Sequence, residues 1–179
     1  MTALVGKNVG GYRVLAKTRL GESGFVYKAL HITKRQTFAL KLLRGLFSLE
    51  SPLQRQFLEK LRIAEALDHP HIARTYPIEV AEDLSILPLE FVYGQSVSAK
   101  IAEGACALDF VLRVGLQTAE ALHCAHAEGG VHGRLTANNL LLSFDDHIKL
   151  VDFGLDLIPE ETVYSEPDNG TEGFGLDAA

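Results

Sequence analysis

The sequence predicts an α+β fold, in which an antiparallel sheet of short strands is followed by helices and closed by a small hairpin. Three observations carry that expectation. β-favouring runs fill the first forty residues, two segments of helical period each end at a breaker, and later apolar runs are separated by tight polar turns. In order, Tyr12, Val14 and Ala16 alternate with Arg13, Leu15 and Lys17 until Gly21 and Gly24 interrupt. Phe25 to Leu30 resumes the strand pattern, His31 to Gln36 turns, and Phe38 to Leu43 is a third strand. Phe57, Leu58, Leu61, Ala64 and Leu67 then recur at helical spacing and stop before Asp68-His69-Pro70, where proline forbids continuation. Apolar runs 72–80 and 84–93 flank the turn Ala81-Glu82-Asp83. A second helix is predicted with Asp109 as N-cap, running through Val111, Val114, Leu116, Ala119 and Leu122 to Gly129-Gly130. A short run at Val131 precedes a hairpin of Leu140 to Phe144, the turn Asp145-Asp146, and His147 to Val151. No internal repeat is present.

Composition narrows the function classes. The 179 residues are 47% hydrophobic and 22% charged, which is globular, and suffice for one well-buried core. The net charge of −6 argues against a nucleic-acid partner. Six acids and no Lys or Arg lie in 159–179, leaving 17 acids against 17 bases before them. That acidic segment is too poor in apolar residues to order itself and is expected to be a disordered tail. Two cysteines, Cys106 and Cys124, make no disulfide framework and suit a reducing compartment. No signal-like opening and no stretch of eighteen apolar residues occurs, so the expectation is a cytoplasmic protein with no membrane partner.

The chemistry begins at Gly21-Glu22-Ser23-Gly24, between two strands, where glycines let backbone amides approach a phosphate with no Cβ in the way. Alone, this is a plain hairpin turn. Phe38-Ala39-Leu40-Lys41 changes the weighting, because a lysine ending a buried strand needs an anion. Asp152-Phe153-Gly154 after the last hairpin supplies a candidate.

These motifs, over residues 10–158, resemble the eukaryotic-type protein kinases, particularly the bacterial Ser/Thr kinases. Leu20 to Lys28 is similar to the glycine-rich loop, with Gly21 and Gly24 as its second and third glycines and Arg19 replacing the first. The resemblance implies that Gly21, Gly24, Val26, Ala39 and Leu141 contact the cofactor and that Lys41 pairs its α- and β-phosphates. His69-Pro70-His71-Ile72 is similar to the loop after helix αC. Leu89-Glu90-Phe91-Val92 resembles the gatekeeper and hinge, which implies adenine contacts from the backbone of Glu90 and Val92. His132 to Leu141 occupies the catalytic loop, placing Asn139 and Asp152 on the family's two magnesium ligands. The implied cofactors are ATP and Mg²⁺. The implied organisation is an N-lobe and hinge (1–92), a partial C-lobe (93–158) holding αD, αE, the catalytic loop and the Asp-Phe-Gly hairpin, and the tail (159–179).

The departures bear on activity. The family's His-Arg-Asp triplet here reads His132-Gly133-Arg134, and arginine cannot serve as the base. Thr136 stands at the catalytic-loop lysine, so no catalytic residue is assigned. Nine residues before His69, Lys60 occupies the place of the αC glutamate; Glu59 is adjacent but about 100° around the helix. A confrontation of Lys60 with Lys41 is expected. Only 25 residues follow Gly154, too few for the rest of a C-lobe, so a partner protein or self-association is expected to cover the second helix. A fragment of a longer kinase is an equal reading.

Four functions stay open on the sequence: a pseudokinase that binds nucleotide, an active Ser/Thr kinase or fragment, a small-molecule kinase of the aminoglycoside phosphotransferase type, and a nucleotide-free protein scaffold. Among the remaining residues, His132 is expected to be structural and His69 and His71 to belong to their loop. His123, Cys124 and His126 do not share one helix face, so a metal site there is not favoured. Asp145-Asp146 is expected to be a turn rather than an acid pair. Arg134 is expected either to contact phosphate or to be solvated.

Overall fold

The computed structural model describes residues 4–19, 25–44, 52–81, 84–155 and 158. The Gly21–Gly24 turn and the acidic tail therefore lie outside the described residues. The first half forms a six-stranded antiparallel sheet in the order β1-β2-β3-β4-β6-β5, built from β1 (Asn8–Val9), β2 (Tyr12–Arg19), β3 (Phe25–His31), β4 (Thr37–Arg44), β5 (Glu79–Ala81) and β6 (Leu84–Glu90). β2 begins with the expected alternation, since Tyr12 and Val14 are buried. A register shift between Val14 and Ala16 then interrupts the pairing with β3 at Leu15, which is exposed on the outward side the alternation assigns it.

The helix α1 (Pro52–Ala66) opens on proline, which is preorganised for a first helical position. Its Phe57, Leu61 and Ala64 are buried, the first two with Val26, Ala39, Leu43 and Leu87 of the sheet. On the opposite face of the sheet, Tyr12, Tyr27, Phe38, Leu40 and Ile86 make a second cluster.

Run 72–80 departs from the expectation of a strand, since only Glu79–Ala81 pairs regularly. Residues 71–76 are instead a strap bonded to both halves of the molecule. Ala73 N–H donates to Leu150 O (2.9 Å) and Leu150 N–H to His71 O (2.9 Å), while Glu90 N–H donates to Arg74 O (2.8 Å) and Tyr76 N–H to Pro88 O (3.0 Å). A segment that alternates between two sheets cannot keep one ladder. Pro88 is tolerated inside β6 because its nitrogen faces this strap, beyond the end of β5, rather than β4.

The second half holds a three-stranded sheet in the order β7 (Gly94–Ser96), β8 (Leu140–Ser143), β9 (Ile148–Leu150) and the helices α2 (Val97–Ala102) and α3 (Leu108–Ala127). Ser96 caps α2 by accepting from Ala99 N–H (3.0 Å). The N-cap of α3 is Ala107, not Asp109, which sits in the first turn where its charge favours the helix dipole. Ala121 and Ala125 of α3 pack on Leu140, Ile148 and Leu150. Gln117 closes the hairpin, its Oε1 accepting from Ile148 N–H at 2.9 Å. The opposite face of α3 is also apolar, with Leu108, Val111, Leu112 and Leu116 all more than half exposed. Asp145 and Asp146 occupy the expected turn, and both cysteines are free. Among the described residues, no helix is long and apolar enough to cross a membrane.

Tyr12 ties the sheet together, with its hydroxyl donating to Glu79 Oε1 at 2.8 Å and its ring edge-on to His31 and Phe38. Burial, then the bond to Glu79 and its charge, pushes the Tyr12 pKa up. A raised pKa contributes stability that is complete below the phenol's ordinary value near 10 and is lost as pH rises toward the folded-state value. Tyr12→Phe should therefore cost about 1 kcal/mol in urea unfolding at pH 7, and the difference from wild type should shrink above about pH 10. A pH-independent difference would contradict this account.

Candidate nucleotide-binding site

The two halves meet at a narrow cleft. Val26 of β3 and Ala39 of β4 form its roof, Leu141 of β8 and Val151 its floor, and Glu90 and Val92 its back. The structure thus brings together seven of the sequence-marked residues, Val26, Ala39, Leu89, Glu90, Val92, Leu141 and Asp152, around one cavity. Gly21 and Gly24 lie outside the described residues. Ala73, Thr75 and Val151 also line the cavity although no motif marked them. They are unexceptional residue types placed there by the strap and by the step from β9 to Asp152, which no local signal announces.

The glutamate side chain at the back of the cleft is turned to structural use. Glu90 carboxylate oxygens accept from Lys149 Nζ at 3.0 and 3.1 Å and from Arg74 N–H at 2.9 Å, pinning the inter-lobe connection to β9 and the strap. Its own N–H is committed to Arg74 O, and the cavity wall beside it is apolar, a shape suited to a flat heteroaromatic ring.

Charge enters at the inner end. Lys41 is fully buried, and its Nζ lies 3.6 Å from Asp152 Oδ1. Desolvation pushes the Lys41 pKa below its ordinary value, opposed by Asp152 and reinforced by the Arg134 guanidinium. The charges of Asp152 and Arg134 act on Lys41. Lys60 places its backbone against Gly154, where a Cβ would lie 3.1 Å from Lys60 O, and Glu59 is exposed.

The loop below is built around His132. Its Nδ1 accepts from Arg134 N–H (3.2 Å), so Nε2 carries the proton and donates to Val151 O (2.9 Å). The ring stands edge-on to Phe153 at 4.8 Å, a structural role as expected. His71 is likewise structural, its Nδ1 bonded to Ile148 O at 3.1 Å. Val151 N–H donates to Asn139 O, and Asn139 Nδ2 donates to Arg134 O (2.8 Å). These bonds hold Asp152 in a left-handed conformation (φ 66°), which turns its carboxylate toward Lys41.

Asn139 is 1% exposed, yet its Oδ1 accepts no hydrogen bond. A buried carbonyl oxygen with no hydrogen-bond partner among the described residues, on a segment bonded through its backbone to Val151 beside Asp152, is a hard donor of the kind magnesium takes. The residues present therefore fit a nucleotide with a divalent ion on Asn139 and Asp152. Thr136 Oγ1, in the same loop, is also buried without a bonded partner. Elsewhere, among the described residues, no cluster of three or more His, Cys, Asp or Glu could hold a metal, His123, Cys124 and His126 included.

The architecture is thus two halves with a buried lysine–aspartate pair between them. Residues 12–173 match the protein kinase domain family, and the chain belongs to it. It is 27% identical over 154 residues to a probable serine/threonine-protein kinase, CPE1738, of Clostridium perfringens, covering 85% of this chain and 22% of that protein. It is 30% identical to the serine/threonine-protein kinase PknH of Mycobacterium bovis, covering 84% of this chain and 26% of PknH. The chain thus spans about a quarter of the length of these curated relatives. Among solved structures, a point mutant of the Mycobacterium tuberculosis PknI kinase domain superposes with a TM-score of 0.74 at 25% identity, covering 87% of this chain and 64% of that domain.

The connection between the lobes depends on Gly94, where any Cβ would sit 1.9 Å from the Leu142 carbonyl oxygen. Gly94→Val should force β7 off β8 and cost about 1–3 kcal/mol or more in chemical denaturation. Unchanged stability would show that β7 is not held as described.

Proposed function

We propose that this domain binds ATP with magnesium but does not transfer phosphate at a useful rate, acting as a pseudokinase with a regulatory or scaffold role. The observation that carries this reading is the contrast between two parts of one site. Lys41, Asn139 and Asp152 are assembled and preorganised, whereas Arg134 occupies the position of the carboxylate that accepts the substrate proton. General-base assistance contributes about 10²–10⁴-fold, and its loss is compounded by Thr136 at the lysine that steadies the transferring group. Asn139 and Asp152 would hold a magnesium ion that offsets phosphate charge; this chain's residues would orient the nucleotide, with Lys41 holding its phosphates and the apolar roof and floor excluding water from the base.

Mg-ATP should raise the melting temperature of the purified chain, and Lys41→Ala or Asp152→Ala should abolish the rise. Transfer of γ-phosphate to a generic protein substrate should stay at background. Robust transfer that depends on Lys41 would replace this reading with an active Ser/Thr kinase, and absence of any nucleotide response would leave only a scaffold.

We propose also that the exposed Leu108, Leu112 and Leu116 face of α3 seats the remaining helical part of a kinase-type C-lobe, since the chain spans 64% of the PknI kinase domain. A helix apolar on both faces belongs in an interior. The chain alone should bind a hydrophobic dye and self-associate in light scattering, and Leu112→Glu with Leu116→Glu should restore a monomer. A monodisperse, dye-negative wild type would contradict an uncovered face.

A further inference from the structure

We propose that Lys28, Phe91 and Tyr93 form a clasp where the roof of the cleft meets its back, holding the roof to the second half of the molecule and setting how fast a nucleotide enters and leaves. The inference rests on the nucleotide reading above and concerns the rates of binding at that site.

Strand alternation brings Lys28 to the cleft side. Val26, Tyr27 and Lys28 are consecutive in β3, so their side chains leave opposite faces in turn. Tyr27 joins the cluster on the far face of the sheet, while Val26 joins the cluster with α1 and roofs the cleft. Lys28 therefore shares the face of Val26. Its register partner on β4 is Ala39, the other roof residue, and directly opposed residues share a face. Lys28 is half-buried, and its Nζ lies 4.9 Å from the Phe91 ring centroid and 5.0 Å from that of Tyr93. Those two rings stand edge to face, with centroids 4.8 Å apart.

The rings have different anchors. Phe91 packs on the cluster that contains Val26, Ala39 and Leu89, in the first half. Tyr93 follows Val92 of the back wall, and its carbonyl accepts from Phe144 N–H (3.3 Å), just past the end of β8. β8 also carries Leu141 of the floor. Lys28 thus links the roof strand to a residue tied to the floor, and the two cannot part here unless the ammonium leaves the Tyr93 ring. A cation over an aromatic face is a modest, reversible contact, and the lysine stem covers apolar surface beside it. Such a contact is too weak to hold a fold and sufficient to bias an opening equilibrium. None of the three side chains lines the cleft, so the clasp acts on the path of the nucleotide and not on the bound molecule.

The test is stopped-flow exchange on the whole chain, in magnesium buffer, with ATP carrying a fluorophore on its terminal phosphate. Wild type is compared with Lys28→Met, Lys28→Arg, Tyr93→Leu and the Lys28→Met/Tyr93→Leu double variant, each first shown to melt cooperatively. Lys28→Met keeps the apolar stem and removes the charge. It should speed entry and release together by about two- to fivefold, the span of one exposed cation–π contact, and leave the equilibrium affinity within about twofold. Tyr93→Leu should act in the same direction, and the double variant should be no faster than Lys28→Met. Lys28→Arg, which keeps a cation able to stack on the rings, should stay at the wild-type rates. Unchanged rates in Lys28→Met, additive effects in the double variant, or a loss of affinity without faster entry overturns the clasp and leaves the nucleotide reading standing. Absence of binding by wild type overturns both.

Discussion

The interaction on which the rest of this structure depends is the pair formed by Lys41 and Asp152. A fully buried ammonium is costly, and β4 leaves it nowhere to go, because its strand lies between β3 and β6. Asp152 meets it from the other lobe only by adopting left-handed backbone, itself a cost of order 1 kcal/mol for a residue with a Cβ. Both costs are met by the surroundings. His132 holds Val151, Val151 holds Asn139, and the strap at 71–76 bonds β9 to β6, so the two lobes are registered on either side of the pair. Removing one partner of such a pair is far more damaging than its modest net contribution suggests.

The same loop that builds this cradle carries Arg134 where the family has its aspartate. Asn139 keeps its fold-determined bond to the carbonyl at position 134 whatever side chain that residue carries, because the contact is to backbone. Arg134 in place of a carboxylate is therefore compatible with the same Asn139 bond. Thr136, neutral where a cation is usual in the family, moves in the opposite direction on the same loop. Positive charge has been relocated rather than removed, from the side of the transferring group to the site of the missing base.

Legibility in the sequence followed the range of the interactions. The alternation of Tyr12 and Val14 and the helical period from Phe57 to Leu67 are local, and each led to the right element, as did the apolar run that carries Lys41, which continues through Leu42 and Leu43 rather than ending at the lysine. The bulge at Leu15 is a property of pairing with β3 and cannot be read from β2 alone. Residues 72–78 looked like a strand because their apolar residues are buried, but they are divided between two sheets. Asp109 looked like a cap, yet the chain turns two residues earlier, at Ala107. Within the site, charged and glycine positions stood out, while Ala73, Thr75 and Val151 line the same cavity with nothing in their chemistry to mark them. The need for Gly94 is likewise set by the Leu142 carbonyl, far along the chain.

The central claim is that Lys41 and Asp152 act as one device on the nucleotide. It is tested most directly by a double-mutant cycle for ATP affinity, combining Lys41→Ala and Asp152→Ala with the double variant in magnesium buffer. The account predicts strong coupling, with the second substitution adding little to the first and an interaction energy of about 1 kcal/mol or more. Additive losses would show that the two residues meet the ligand separately and would contradict the account.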